Sequence, residues 1–574
     1  MLSVVLTAGR GIELTDEAFY WLQLRYWQQF DFQFSFFAAY LDGLFWLLRE
    51  RIDLMRIAGA ALIAASSATM FVQLAAYVRW QCPGIEIPER RFAWLAALLG
   101  LTHYAYMWTL RGPSYNTMAF FGCALASALL LAWLRRAGRR ALLGLLYGLV
   151  LGMTVFCKIT TAVLLLALHC AMLLLHHRDW SWRSFWTLAG TAALGVGLNL
   201  GYVTWRDPAW WQTVMDGLAF QRAMEARDPL LSLRAVLWSW QREAPLPLLA
   251  AMAVAIGAQV MLLRRAAVHA AAGLMLFTMA ALGVWMLVTT EVRGGWLLVV
   301  AFASCSLVLQ LAHGRVRPRL LPCAVVCGLV FGLPLAYSFG TNMPLADHSL
   351  MAAAFPLCGL LCGLWVLRGW GHIGEGALAL GALLLSLPVL APMTWPWLYA
   401  QQTYRLHGSL LEARVPLSDN ARYRALLTDT RTAGALNQLA DTLKLAGFKP
   451  GQPMIEFTGG LPGIVDVLAG QPVGVAWLLG NYPGSSAAAG IVLSRVSIEQ
   501  WRQTWLITSV DASRRIRGWD AMLNKRLGQR CHERVASFSF SPPQSARHDR
   551  PGWPIELSVW RPLAVCLPGG VDAQ

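Results

Sequence analysis

Charge is scarce in this chain: of its 574 residues only 14% are Asp, Glu, Lys or Arg, while 57% are hydrophobic. Soluble domains carry about 25% charged residues, so a water-soluble fold is excluded over most of the length. Acids are scarcer than bases, 31 against 47, and the formal net charge is +16. The basic surplus gathers on no single face; arginines stand in short clusters between apolar runs, as in cytoplasmic loops, which argues against a nucleic-acid partner. Also lacking are a P-loop, a nucleotide-binding glycine fingerprint, HExxH and a Gly-x-Ser-x-Gly elbow in a plausible context. The carboxylate or histidine chain of an ion-coupled pump is missing as well, which argues against primary active transport. Nine of the 11 cysteines precede residue 370, mostly in apolar runs without metal-ligand spacing, and read as small hydrophobes. Only Cys531 and Cys566 stand in a polar tail, where an oxidising exterior permits a disulfide.

What is present is a series of apolar segments near 54–78, 92–110, 113–134, 141–157, 159–175, 185–204, 245–263, 267–290, 295–312, 320–339, 349–367 and 374–391. Each is long enough, with some tilt, to cross about 30 Å of hydrocarbon. Arg79, Arg90, Arg91, Arg135, Arg136, Arg139, Arg140, Arg178, Arg183, Arg264, Arg265, Arg315, Arg317, Arg319 and Arg368 share one side, and the opposite short loops hold little beyond Arg111, Lys158 and Arg293. The first side is cytoplasmic by the positive-inside rule. Residues 11–53, 205–244 and those after 392 then face outward. Ahead of the first external stretch, "MLSVVLTAG" is too short to span and has no basic n-region. A missing first helix is expected, for about 12–13 spans in all.

Residues 1–391 thus read as an all-α polytopic domain and 392–574 as an extracytoplasmic α/β domain. In the tail, "TAGALNQLADTLKLAGFKPG" sets Leu436, Leu439 and Leu443 on one helical face and stops at Gly447 and Pro450. The runs "MIEFT", "TWLIT", "VASFSF" and "IELSVW", separated by turn residues, predict strands.

Candidate chemistry lies at the external ends. "GIELTDEAFYWLQLRYW" opens with Asp16 and Glu17. These acids suit a helix N-terminus, with Thr15 or Asp16 as cap, and Asp16 equally suits proton abstraction from an acceptor hydroxyl. "RGPSYNTMAFF" presents Arg111, Tyr115 and Asn116 at a helix start after Pro113. Lys158 interrupts an apolar passage in "GMTVFCKITTAVLLL". It either snorkels or meets a lipid phosphate. Arg293 lies beside Gly294 and Gly295, where backbone can approach a phosphate. Asp347 and His348 form a possible acid/base pair, and the tryptophans of 205–244 suit interfacial anchoring, with part of that loop a possible wall or lid.

An acidic pair in the first external loop, about a dozen spans and an external α/β tail together resemble the GT-C class of membrane glycosyltransferases. The nearest likeness is to the protein O-mannosyltransferase and lipid A aminoarabinose transferase group. It is carried by "TDEAFYWL", "PSYNTMAFFGCALASALLLAW" and "GMTVFCKITTAVLLL". The resemblance implies a GT-C fold, a polyprenyl-phosphate sugar donor, and an envelope glycan, lipid or protein acceptor. It implies residence in a bacterial inner membrane with the tail in the periplasm. It casts Asp16 as catalytic base or acceptor-orienting carboxylate, Glu17 as its neighbour in the catalytic site and Lys158 as lying near the lipid phosphate; from their external positions Arg293 and Arg111 are further candidates for the donor phosphate, and Tyr115, Asn116, Tyr20 and His348 for sugar or acceptor. Asn116 stands where relatives often carry an acid, which weakens a metal-bridged mechanism, so magnesium or manganese is only weakly supported and no other cofactor is expected. The Lys-Pro-Pro run common after the first interfacial helix is absent, which leaves the sugar and the acceptor open. A flippase or transporter of lipid-linked saccharides is the alternative, and an inactive scaffold of the same fold a third.

Overall fold

A computed structural model describes residues 2–85, 87, 89–104, 112–225, 320–340, 348–369, 374–376, 405–417, 422–510, 512–540, 555–563 and 566. Among these, helices dominate up to residue 369: α1 Leu2–Ala8, α2 Asp16–Tyr26, α3 Phe37–Leu47, α4 Ile52–Gln81, α5 Glu89–Gly100, α6 Tyr115–Arg135, α7 Arg140–Cys157, α8 Ile159–Leu175, α9 Trp182–Arg206, α10 Trp210–Glu225, α11 Leu320–Ser338 and α12 Ala354–Gly369. Three of the described helices, α4, α6 and α7, are long and apolar enough to cross a membrane. They coincide with the segments expected at 54–78, 113–134 and 141–157. The segment expected at 92–110 starts as α5 and tightens into a 3-10 turn at Leu101–Tyr104, where its described part ends. The spans expected from 245 to 312, and that at 374–391 beyond residue 376, lie outside the described residues.

Small residues and buried polar pairs join these helices, as expected where lipid removes the hydrophobic drive between them. Gly144, Gly148 and Gly152 repeat every fourth residue on α7 and face α9. A Cβ on Gly148 would lie 2.1 Å from the Ala192 carbonyl oxygen, so only glycine permits this approach. His169 on α8 meets Ser127 of α6 through Nε2 at 3.0 Å and Tyr147 of α7 through Nδ1 at 3.0 Å. Ile159, Val163, Leu166, Leu194 and Leu198 point outward, the surface a helix offers to hydrocarbon.

The tail carries α13 Thr430–Leu445, α14 Gly463–Val467, α15 Ser485–Arg495, α16 Ile498–Gln503 and α17 Trp519–Leu527. Its strands are β1 Val415–Pro416, β2 Leu427–Thr428, β3 Pro453–Glu456, β4 Gln471–Pro472, β5 Trp505–Ser509, β6 His532–Phe540 and β7 Ile555–Pro562. A five-stranded sheet runs β4-β3-β5-β7-β6. β3 is parallel to β4 and β5, whereas β7 is antiparallel to β5 and β6. As the leucine spacing predicts, Leu436, Leu439 and Leu443 of α13 are buried, and Gly447 takes a φ of +95° just past the helix, a conformation glycine adopts without steric cost.

One apolar core holds Trp21, Leu22 and Leu24 of α2, the three α13 leucines, and Met454, Ile507 and Val559 of the sheet. The tail therefore packs on the opening segment rather than standing apart. Main-chain bonds reinforce this: Gly11 donates to the Leu427 carbonyl at 2.8 Å, Leu427 donates to the Gly9 carbonyl at 2.8 Å, and Gly463 donates to the Leu14 carbonyl at 2.8 Å.

Cys531 and Cys566 form a disulfide, Cα–Cα 5.7 Å, across a sequence separation of 35. Closing a loop of that length is worth about 3–4 kcal/mol in the chain-entropy account. A Cys531→Ala/Cys566→Ala variant should therefore melt earlier than the parent, and reductant should lower the parent's melting point while leaving the variant's unchanged.

Candidate functional site

The geometry around Asp16 begins with an acid the sequence reading did not single out. Thr15 occupies the N-cap position of α2 but its side chain caps nothing; the expected Thr15 or Asp16 cap is replaced by Glu13. Glu13 Oε1 accepts from the Thr15 N–H at 2.9 Å and Oε2 from the Glu17 N–H at 2.7 Å. The longer side chain reaches the helix's first N–H groups from outside and meets the positive end of its dipole. The Thr15 hydroxyl is instead drawn to Glu13 and to Arg405.

Asp16 forms an ion pair with Arg405 Nη1 at 2.9 Å. The pair is accessible, with side chains 25% and 15% exposed for Asp16 and Arg405. Glu13 stands 3.8 Å behind the same guanidinium nitrogen. Nothing in the sequence marks Arg405, which lies among many basic residues; its contact bridges 389 positions.

Glu17 is placed differently. Its carboxylate accepts from Arg56 Nε of α4 at 2.7 Å and from the Gly112 N–H at 3.2 Å. Both ion-pair side chains are buried, 1% exposed for Arg56 and 2% for Glu17. Arg56 further donates to the carbonyls of Ala8, Arg10 and Gly11 at 2.8, 3.1 and 2.9 Å. Glu17 thus joins the opening loop, α4 and the start of α6, and positions Asp16 rather than standing beside it in an open site.

Tyr20 and Tyr115 meet edge to face at 6.0 Å, with Phe37 against both. Tyr115 lies within electrostatic reach of Asp16 and of Tyr337. Tyr337 accepts through its carbonyl from Lys158 Nζ at 2.6 Å, and that ammonium lies 5.0 Å from the Tyr337 ring centre. Lys158 is buried and, among the described residues, forms no ion pair with a carboxylate. His348 meets the Tyr337 ring at 5.0 Å with the planes tilted by 51°, and its Nδ1 lacks a hydrogen-bond partner among the described residues. His103, not foreseen, lies 6.0 Å from the Tyr337 ring and bonds the Met351 carbonyl at 3.0 Å. Asn116 is buried on the first turn of α6, its Oδ1 likewise unpartnered among those residues.

The structure therefore packs Tyr20 and Phe37 against Tyr115, and gathers Lys158, His348 and His103 around Tyr337. Arg111, Arg293 and Asp347, with residues 226–244 of the second external loop, lie outside the described residues. Among the described residues no group of three or more His, Cys, Asp or Glu is arranged to hold a metal ion.

Burial pushes the Glu13 carboxyl up from 4.5 to about 7, against the lowering effect of Arg405, while the nearby Asp16 charge adds to the rise. Burial likewise lifts Glu456, at the end of β3, to about 7 despite bonds from Thr458 and neighbouring backbone. Between pH 4.5 and about 7 the folded chain holds protons that the unfolded chain has released. Stability should therefore fall as pH rises across that window and level off above it. Melting curves at stepped pH test this; Glu13→Gln and Glu456→Gln should each flatten the slope.

No family model, no curated protein and no solved structure matches this chain.

Proposed function

We propose that this chain is an integral-membrane glycosyltransferase of the GT-C type that moves a sugar from a polyprenyl-phosphate carrier to an envelope glycan, lipid or protein at the periplasmic face of a bacterial inner membrane. One observation carries the reading: alongside an accessible carboxylate, Asp16, at the start of α2, a buried lysine, Lys158, rests on the Tyr337 ring and carbonyl with no acid partner among the described residues. A buried ammonium is costly, and an anion that visits it offsets that cost. A lipid phosphate is such an anion, and in this reading its sugar extends toward Asp16.

In this chemistry the acceptor O–H gives its proton to the Asp16 carboxylate as its oxygen bonds the anomeric carbon. The bond from that carbon to the phosphate oxygen breaks, and its electron pair leaves with the polyprenyl phosphate. Cations offset the charge that develops on the leaving group, and direct displacement inverts the anomeric centre. In this reading Tyr20, Tyr115 and His348 hold the sugar or the acceptor. The residues on hand require no metal for this step, and a divalent ion remains compatible with it.

The test is reconstitution of the full chain in liposomes with a polyprenyl-phosphate sugar labelled in the sugar, together with envelope extract. Label passing to an extract component with release of unlabelled polyprenyl phosphate is the expected result. Label that changes leaflet and stays on its lipid would make the protein a flippase instead, and label that does neither would leave a scaffold.

A further inference from the structure

The Asp16–Arg405 pair differs from two of the ion pairs that fasten the opening segment, and shares its accessibility with Arg422–Glu50, 29% and 33% exposed. Arg56–Glu17 is sealed, with Arg56 satisfied by three carbonyls besides the carboxylate. Arg25–Asp466 is sealed as well, its side chains 6% and 0% exposed, with Asp466 also bound by Tyr423. Arg405 is reachable from solvent and so is its partner. Its backbone takes a φ of +52°, a conformation that is uncommon for a residue with a Cβ and is held only where surrounding contacts impose it. One guanidinium also faces two carboxylates and a hydroxyl, Asp16, Glu13 and Thr15, so this cation is over-subscribed rather than matched to one acid.

We propose that Arg405 is a phosphate receptor: Asp16 holds its guanidinium until the phosphate of a polyprenyl-phosphate donor replaces the carboxylate, and that exchange leaves Asp16 able to take the acceptor's proton. The inference rests on the transferase reading and deepens it, since it makes donor binding the event that arms the base. A planar guanidinium matches phosphate in two parallel hydrogen bonds, which an ammonium cannot do. Lys158 then supplies a buried point charge and Arg405 the shaped, accessible contact. Because Arg405 is what most lowers the Glu13 carboxyl against burial, loss of the guanidinium to phosphate also favours a proton on Glu13, which prevents two bare carboxylates from facing each other as the donor arrives. In the transfer step the departing phosphate keeps the electron pair of the broken bond and remains on Arg405, while the acceptor's proton remains on Asp16.

Full-length protein in nanodiscs, titrated with undecaprenyl phosphate and separately with undecaprenol, tests the exchange without requiring catalysis. The parent is expected to prefer the phosphate by about tenfold or more, and Arg405→Gln to lose most of that preference, with Arg405→Lys between them. Asp16→Asn should bind undecaprenyl phosphate several-fold more tightly than the parent, because the competing carboxylate is gone; a merely structural pair predicts no gain. Unchanged or weaker binding by Asp16→Asn overturns the proposal, as does a full phosphate preference in Arg405→Gln. If Arg405→Gln fails to fold, the Asp16→Asn comparison decides alone. Tighter binding in Asp16→Asn with no sugar transferred by the parent would retain the phosphate receptor and reject the transferase, whereas transfer by the parent without that tightening would do the reverse.

Discussion

Asp16→Asn is expected to lower sugar transfer by about 10²–10⁴-fold, the range that a positioned general base supplies, while leaving the melting point of the protein close to the parent's. The side chain keeps its size and a hydrogen-bonding oxygen, and an ion pair as accessible as Asp16–Arg405 contributes little to stability. The loss should fall on kcat, since the substitution removes the proton acceptor without weakening the hold on the donor's phosphate. A liposome assay with saturating labelled donor, followed across pH, checks it. Full activity in Asp16→Asn would remove this residue from the chemistry and with it the main support for a transferase.

Glu17→Ala should do the opposite. It leaves Arg56, 1% exposed, with a buried positive charge and only carbonyl partners, a change that costs about 3–5 kcal/mol in buried pairs. It also releases the Gly112 N–H from its acceptor. Thermal unfolding in detergent should move down by many degrees, and activity should fall in step with the folded fraction. The double variant Glu17→Ala/Arg56→Met should recover part of the lost stability, because no bare charge is then buried. Adjacent acids in the sequence thus separate into one whose loss disables and one whose loss unfolds. If Glu17→Ala melts like the parent, the buried pair does not hold the opening segment.

How much of this was legible in advance follows from the reach of each interaction. Span positions at 54–78, 113–134 and 141–157 could be read because apolar run length is a local property with a fixed physical threshold. The amphipathic face of Leu436, Leu439 and Leu443 was equally local, and so were the four strand runs of the tail. The roles of Asp16 and Glu17 were not separable, since both are acids in the first turn of one helix. Only the helix's rotation, about 100° per residue, turns one toward α4 and the other toward solvent. Glu13 as the cap was missed because a carboxylate two residues ahead of the N-cap position competes with Thr15 only once the loop curls back.

The sequence alone determined that most of this chain is apolar enough for a membrane, that its tail is a mixed helical and stranded region, and that acids and a lysine stand at the ends of apolar runs. Those conclusions rest on composition and on periods of two and 3.6 residues, which each short stretch carries by itself. Tertiary structure alone decided that the tail packs on the opening helix, that Arg405 meets Asp16 and Arg56 meets Glu17, and that Lys158 meets Tyr337. Those contacts bridge separations from tens to hundreds of residues. They depend on how helices and strands pack, so no local pattern encodes which cation each carboxylate will find.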